Sequence, residues 1–528
     1  MKPDGGSLIG FGSSGIGGDT FKAFDPAKNC AIEPSFLSAA ADDVERAVQL
    51  AVAAAPVWAA LSGKARRDFL HAVATNLEGK AADLVARAML ETGLPEARLK
   101  GEVARTCGQL RLYGDTAARG DWIDARIETA QPDRKPLPKP DHRSMLRAIG
   151  PVVVFGSSNF PFAYSVAGGD SASAFAAGCP VIVKAHPAHP GTSELVGRLI
   201  LHAVRDCGLP EGSFSLLFDG GFEVGQALVQ HPAVKAVGFT GSVKGGRALV
   251  DLAAARPEPI PVYAEMGSIN PIFILPGAIA ERSGALVEGL HGSTTLGVGQ
   301  FCTNPGLVVL QRSPEAEQFI RDLSAKLTAT PEAPMLTPGI RKNFVAGTSA
   351  RAQQPGVNVI AQGTMVSGCG AAPVWFETDA LDFLGNHQLL AEIFGPSSLV
   401  VWCKDRAEML QVARGLEGSL TAMLHTSAGE VAAQQDLVAL LVEKSGRVIH
   451  NGFSTGLEVS TAIVHAGPYP STSDGGRSTS VGTRALNRWT RLVCYQNFAD
   501  ELLPAELQNT NPLGLSRMVD GAMTTAAV

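Results

Sequence analysis

From Ala148 onward the sequence settles into short β-branched runs separated by helical lengths: "PVVVFG" (151–156), "PVIVKA" (180–185), "FSLLFD" (214–219), "VKAVGFTG" (234–241) and "IPVYAEMG" (260–267). Strands that are apolar along their whole length, without polar alternation, need cover on both faces. Alanine-rich stretches of helical length between them supply that cover as crossover helices. The combination selects a parallel α/β sheet of the doubly wound, nucleotide-binding type. A second α/β pattern runs from about Pro271 to Gly467 and includes "GLVVLQ", "SSLVVWC", "SLTAMLHT" and "GRVIHNG", which reads as a second domain.

Before this region, "AADDVERAVQLAVAAAPVWAAL" from Ala40 repeats apolar residues at helical spacing, with Asp42 and Asp43 suited to a helix N-terminus. Further helical stretches reach about Tyr113. The segment "ETAQPDRKPLPKPDHR" (128–143), with its four prolines, reads as an exposed connection near a boundary. Towards the C-terminus "WTRLVCYQNF" (489–498) reads as an isolated strand, and the edge it pairs with is expected to belong partly to another subunit. No internal repeat is visible.

A chain of 528 residues exceeds one hydrophobic core, so two or three domains are expected. The charge of -6, from 44 basic and 50 acidic residues without a basic stripe, argues against nucleic acid or an anionic membrane as partner. A small molecule is the expected partner. Eight cysteines (30, 107, 179, 207, 302, 369, 403, 494) form no CxxC pair; reduced thiols and a cytoplasmic location are expected. The N-terminus lacks an apolar signal core, and no window has the ~18 uninterrupted apolar residues of a membrane span.

One cysteine stands apart. In "GQFCTNPG" (299–306) Cys302 sits among glycines and small polar residues rather than in an aliphatic run, so filler, metal ligand, disulfide half and nucleophile are all open. Glu265, in "AEMGSINP", lies just after a strand, where parallel sheets place ligands. The helix read in "SGALVEGLHGSTTLGVGQ" returns the chain towards the same cleft, so a thiolate and a general base can meet there. In "FGSSNFPF" (155–162), Asn159 is placed either to cap a helix or to point its amide, with the Cys302 N–H, at developing oxyanion charge. "FTGSVKGG" (239–246) runs from strand through glycine and serine into a helix, a start that favours phosphate. No GxGxxG follows the first strand. Lys184 ends its strand on the same side of the sheet, either solvated or reaching a ribose or phosphate.

These elements in this order, followed by "AEIFGP" (391–396), resemble the aldehyde dehydrogenase superfamily over roughly residues 20–500. The stretch "VHAGPYPSTSDGGRSTSVGTRALNRWTRLVCYQNF" (464–498) resembles the branch that holds 2-oxoglutarate semialdehyde (2,5-dioxopentanoate) dehydrogenases and NADP-dependent fatty aldehyde dehydrogenases. The resemblance implies Cys302 as nucleophile, Glu265 as general base and Asn159 as oxyanion donor. His465 matches the histidine of the branch's "HGGP" motif, written "HAGP" here; it is either near the thiol or a packed structural histidine. Phe239, Thr240, Gly241, Ser242 and Gly246 would line the cofactor's pyrophosphate, Lys184 its adenosine ribose, and Glu392 with Phe394 its nicotinamide ribose. The implied α/β fold has a Rossmann-type cofactor domain, with a helical part over 1–123 and a nucleotide-binding part over 148–267. A catalytic domain spans 268–484, and a small β oligomerisation element is made of 124–147 and 485–528. A homodimer or homotetramer is expected.

Two departures bear on ligands. Ser268 and Ile269 replace the family's usual glycine and lysine or serine, which bears on substrate fit. Pro187 stands where NAD-preferring relatives carry an acid three residues after the strand-end lysine, so NADP is favoured over NAD. For 2-oxoglutarate semialdehyde the pocket needs a cation, since a buried unpaired charge is costly. Arg105 and Arg111 are six residues apart on one helix, about 240° in azimuth, so at most one reaches it. A fatty aldehyde would need an apolar tunnel instead, with Phe160, Phe162 and Phe453 as candidate linings. A CoA-acylating enzyme has no need of Glu265, a cysteine hydrolase leaves the nucleotide-like half unused, and a catalytically silent binding protein has no use for Cys302, Glu265 and Asn159 together. No metal is implied, since neither His186 with His189 nor any Cys/His cluster matches a ligand set in sequence.

Overall fold

The computed structural model describes residues 1–14, 18–366 and 368–528. The apolar runs of the first half form one seven-stranded sheet in the spatial order Val262–Glu265, Ala236–Thr240, Val152–Phe155, Val181–Lys184, Phe214–Leu217, Leu8–Ile9, Gly12–Ser13. The first five run parallel, and the two short N-terminal strands add antiparallel. Both faces are covered: every residue of Val181–Lys184 and of Phe214–Leu217 is buried. The chain lays down strands outward from Val152–Phe155, then returns to its other side with Ala236–Thr240. That reversal leaves a crevice at the carboxyl ends of these two strands, where open α/β sheets take their ligands.

Helices Gly63–Gly79, Ala81–Thr92 and Glu96–Arg119 merge with this sheet into one core that holds Trp58, Phe69, Tyr113, Phe175 and Trp489. The helix expected from Ala40 runs Ala41–Ala60, with Asp42 and Asp43 in its first turn. Unpaired N–H groups at that end favour such acids.

The second half forms another seven-stranded sheet, in the order Asn358–Gln362, Val374–Asp379, Ser397–Cys403, Leu307–Gln311, Pro271–Ile274, Ser419–His425, Ser445–His450. All neighbours are parallel except the first pair.

The C-terminal strand has a partner within its own chain on one edge. Thr490–Gln496 pairs antiparallel along its whole length with His142–Ala148 of the same chain, which in turn pairs with Arg126–Glu128. Arg517–Val519 and Ala522–Thr524 complete this five-stranded sheet. A partner more than 300 residues away in sequence is invisible to local pattern, so the strand only looked isolated. The proline-rich connection is the long loop of the resulting hairpin.

Candidate active site

Three side chains from distant parts of the chain converge at the crevice. Glu265 ends its strand, held there by a bridge to Thr472 and by the Met266 N–H donating to the Ser471 carbonyl at 2.8 Å. His465 Nε2 lies 3.0 Å from Glu265 Oε1 and 3.5 Å from Cys302 Sγ. Ser480 Oγ donates to the other Glu265 oxygen at 3.2 Å. Glu265 and His465 are buried, and Cys302 is partly exposed.

The Cys302 loop is held by its backbone. Helix Pro276–Thr295 ends in a tight turn, Leu296–Gly299, with positive φ at Gly297, Val298 and Gly299. A Cβ on Gly299 would meet the Gly395 carbonyl carbon at 2.4 Å, so only glycine fits. Asn270, itself at φ 47, donates its amide to the carbonyls of Cys302 (2.8 Å) and Asn304 (2.9 Å), and Ser454 Oγ donates to the Thr303 carbonyl at 2.6 Å.

These contacts set the charge states. Burial alone would raise the Glu265 carboxyl; the His465 ring that faces and bonds it, the Cys302 thiol and the Arg488 guanidinium outweigh this and hold it below the usual carboxylate range. The Cys302 thiol goes the other way. Burial, the Glu265 charge, its hydrogen bond to Glu265 and the Glu392 charge push it well above an ordinary cysteine, with Arg105 opposing.

Asn159 is buried and donates Nδ2 to the Gln300 carbonyl at 3.0 Å, two residues before the thiol, which leaves its second amide hydrogen for another acceptor. Phe160 sits edge-on to Phe301 at 5.3 Å, next to the thiol. Arg105 stands in the same cleft, bonded to Tyr164 Oη at 3.2 Å and over the rings of Tyr164 and Phe160.

Three expected substrate residues lie elsewhere. Arg111 pairs with Glu78 at 2.6 Å on the surface, as the azimuth argument requires for one of the two arginines. Phe162 is 2% exposed and fills the first core. Phe453 packs on His425 and on the core beneath helix Pro276–Thr295. Aromatic residues near a motif were read as lining when their volume serves packing.

Other cleft residues escaped sequence reading. Arg98 lies over Phe160 and Phe301 and donates to the Asn159 carbonyl at 2.7 Å. Glu102 accepts from the Phe162 and Ala163 N–H groups and so fixes the turn that carries Phe160 and Tyr164. Arg98, Glu102 and Arg105 are spaced i, i+4, i+7 on Glu96–Arg119, one helix face, and that spacing was the available signal. Arg447, on the last strand of the second sheet, also interacts electrostatically with Cys302 and Tyr164; nothing in its sequence surroundings announces this.

On the sheet side of the crevice, Lys184 is buried and donates to the Asp219 carbonyl at 3.2 Å. Helix Val243–Ala254 opens at Ser242, whose hydroxyl caps it by accepting from the Gly245 N–H at 3.1 Å. The first turn of that helix has N–H groups free of intrahelical partners, suited to a phosphate. Phe239 and Phe155 meet edge to face at 6.0 Å beneath Gly241 and Gly245. A Cβ on Gly241 would strike the Phe239 ring at 2.6 Å, and one on Gly246 would strike Met266 at 2.7 Å, so the backbone approaches this surface closely. A narrow cleft beside the thiol loop is lined by Ile269, Phe301, Arg351, Glu392 and Phe394. Glu392 is exposed at the mouth of this cleft, and the solvent there limits the rise that the cleft walls and the Glu265 charge impose on its carboxyl. A strand-end lysine, a glycine-bearing helix start and a carboxylate in the cleft suit a nicotinamide dinucleotide.

Residues 14–467 match the aldehyde dehydrogenase family model. The chain is 49% identical over 523 residues, 99% of each chain, to alpha-ketoglutaric semialdehyde dehydrogenase 2 of Azospirillum brasilense. It is 44% identical, over 93% of each chain, to the alpha-ketoglutaric semialdehyde dehydrogenase of Acinetobacter baylyi. The fold matches betaine aldehyde dehydrogenase of Staphylococcus aureus with a TM-score of 0.81 at 19% identity, covering 94% of this chain and 97% of that one. It matches PnpE of Pseudomonas sp. WBC-3 with a TM-score of 0.79 at 22% identity, covering 94% and 98%. Family model, relatives over the full length and shared fold agree: the chain belongs to the aldehyde dehydrogenase family and is an oxidoreductase acting on the aldehyde group.

Proposed function

We propose that this enzyme oxidises 2-oxoglutarate semialdehyde to 2-oxoglutarate. The observation that carries the substrate is the pair of arginines on one helix face beside the thiol loop: Arg105 lies over Phe160 and Tyr164, and Arg98 over Phe160 and Phe301. A guanidinium binds the far carboxylate of an ω-aldehyde acid in a two-pronged geometry, and the alternative, a buried unpaired charge, is costly. The names of the two full-length relatives support the same substrate. Phe162 fills the first core and Phe453 packs on the core beneath helix Pro276–Thr295, so of the three candidate tunnel phenylalanines Phe160 is the one set beside the thiol loop.

In the proposed mechanism Cys302 gives its proton to the Glu265 carboxylate, with which it is hydrogen-bonded. The thiolate attacks the aldehyde carbon, and the thiohemiacetal oxyanion is held by the free Asn159 amide hydrogen and the Cys302 N–H. NAD(P), when bound, supplies the hydride acceptor that converts this adduct to a thioester. Glu265, ionised again, then takes a proton from water, and His465 keeps that carboxylate charged and oriented. The thiolate leaves and the carboxylic acid is released. Arg105 holds the substrate's far end throughout.

Lys184 and the turn Phe239–Gly246 would hold the adenosine and pyrophosphate, Glu392 and Phe394 the nicotinamide ribose. NADP is the preferred form because Pro187 brings no carboxylate to the ribose side, while the Asp219 carboxylate is engaged by the Gly221 and Val224 N–H groups. A Pro187→Glu variant should lose efficiency with NADP and gain it with NAD. Assembly as a homodimer or homotetramer rests on the outer edge of Thr490–Gln496, which has no strand beyond it among the described residues and exposes Leu492. A cytoplasmic setting fits eight free thiols.

The deciding experiment compares kcat/KM for 2-oxoglutarate semialdehyde and a medium-chain aliphatic aldehyde under the same NADP concentration. A large preference for the semialdehyde is expected; equal or reversed preference removes the carboxylate pocket from the reading.

A further inference from the structure

Cys302 Sγ, His465 Nε2 and Glu265 Oε1 are three donors of different chemistry whose ligating atoms all lie within 4.8 Å of one another. Zinc takes thiolate sulfur at about 2.3 Å and imidazole nitrogen or carboxylate oxygen at about 2.0–2.2 Å, usually in a tetrahedron. Those lengths place sulfur and nitrogen ligands roughly 3.5 Å apart and nitrogen and oxygen ligands roughly 3.4 Å apart. The observed separations are 3.5 Å from Sγ to Nε2 and 3.0 Å from Nε2 to Oε1. The first already fits, the second opens by a few tenths of an ångström, and the sulfur and the carboxylate oxygen, within 4.8 Å of each other, close to about 3.6 Å.

The charges fit as well. A thiolate and a carboxylate neutralise a dication. Three protein ligands leave the fourth position towards the cleft, on the side where Cys302 is partly exposed. Sulfur in the set selects zinc or cadmium over magnesium or calcium.

We propose that Cys302, His465 and Glu265 form an inhibitory zinc site. The inference rests on the reading of Cys302 and Glu265 as nucleophile and base, and adds a regulation of that site. Zinc forms a bond to Sγ in place of the thiol proton, which passes to solvent. Its bond to Nε2 replaces the Nε2–Glu265 Oε1 hydrogen bond and moves the ring proton to Nδ1, which is buried and has no partner among the described residues, so the metal bonds must offset both costs. No electron is transferred, and a chelator reverses the step.

The test uses the full-length enzyme with Co²⁺ as a spectroscopic probe and zinc in equilibrium dialysis, with a phosphine reductant that does not chelate. One metal per chain is expected, with a thiolate-to-cobalt charge-transfer band that C302S lacks. Affinity should fall at least tenfold in both H465N and E265Q, each first shown to melt like the parent. Zinc should inhibit competitively with aldehyde, and EDTA should restore activity. Absence of the charge-transfer band, or parental affinity in H465N and E265Q, overturns the site and reduces any inhibition to capture by a bare thiol. The catalytic reading fails on a separate result, aldehyde oxidation retained by C302S, since metal binding is read without turnover.

Discussion

His465 Nε2 lies 3.0 Å from Glu265 Oε1, and both side chains are only 2% exposed. A buried carboxylate that faces an imidazole depends on it for its ionised form, because burial alone would raise the carboxyl. Replacing His465 by Asn therefore moves the acidic limb of the kcat–pH profile to higher pH, since Glu265 must lose its proton before it can activate water. A hydrogen bond to a charged group contributes about 1.5–3 kcal/mol, so the acidic limb should move up by about one to two pH units, with kcat on that limb falling roughly 10- to 100-fold. A single-turnover experiment should place the loss in thioester hydrolysis, with the first burst of reduced cofactor retained. A profile that does not move would make His465 a packing residue.

The same pair predicts an opposite shift for the thiol. Burial is the largest cause of the raised Cys302 ionisation, and the Glu265 charge is the next. A Glu265→Gln variant keeps the burial and removes the charge, so the thiol should ionise at lower pH than in the parent. Iodoacetamide alkylation of Cys302, followed across pH, reads this directly. A midpoint that stays put or rises would show that Glu265 does not hold the thiol protonated.

Sequence reading succeeded where the signal was local. The apolar runs became strands because continuous burial needs continuous hydrophobicity; Glu265, Asn159 and Lys184 could be singled out because each follows or ends such a run, and Cys302 because it lies outside one, among glycines and small polar residues. The arginine face was within reach: Arg98 and Arg105 are seven residues apart, two helical turns, whereas attention to Arg105 and Arg111 compared residues on different faces. Arg447 and the pairing of Thr490–Gln496 with His142–Ala148 were beyond reach, since each depends on a contact across hundreds of residues. Phe162 and Phe453 show the complementary limit: a phenylalanine near a motif carries no mark of whether its ring turns to the cleft or packs on a core, as these two do.

The two arginines first compared now make a controlled experiment. Arg105 stands over Tyr164 in the cleft, and Arg111 pairs with Glu78 outside it. Arg105→Gln should raise KM for 2-oxoglutarate semialdehyde by at least tenfold while changing an aliphatic aldehyde little. Arg111→Gln should alter neither substrate and cost under about 1 kcal/mol, the usual range for a surface ion pair. Equal losses on both substrates in the Arg105 variant would assign that residue to shaping the cleft rather than to the carboxylate.

Asn270 supports the nucleophile from behind and is the most exacting position in the site. It is fully buried at φ 47; its amide donates to the Cys302 and Asn304 carbonyls, and its oxygen accepts from Ser268 Oγ at 2.7 Å and Thr421 Oγ1 at 2.9 Å. Alanine would meet the left-handed backbone at about 1 kcal/mol or more and leave those carbonyls and hydroxyls unpaired at about 1–3 kcal/mol each. Asn270→Ala should lower the melting temperature and weaken catalysis together. Asn270→Asp separates the two effects, because aspartate keeps the size and tolerates the backbone but turns a lone pair, not a proton, towards the Cys302 carbonyl. If the amide's grip on that carbonyl is what positions the thiol, Asn270→Asp should lose alkylation rate at Cys302 and kcat by tenfold or more, even at temperatures where it remains folded. Parental rates in a folded Asn270→Asp variant would show that the Gly299 turn and the Ser454 bond suffice to hold the nucleophile.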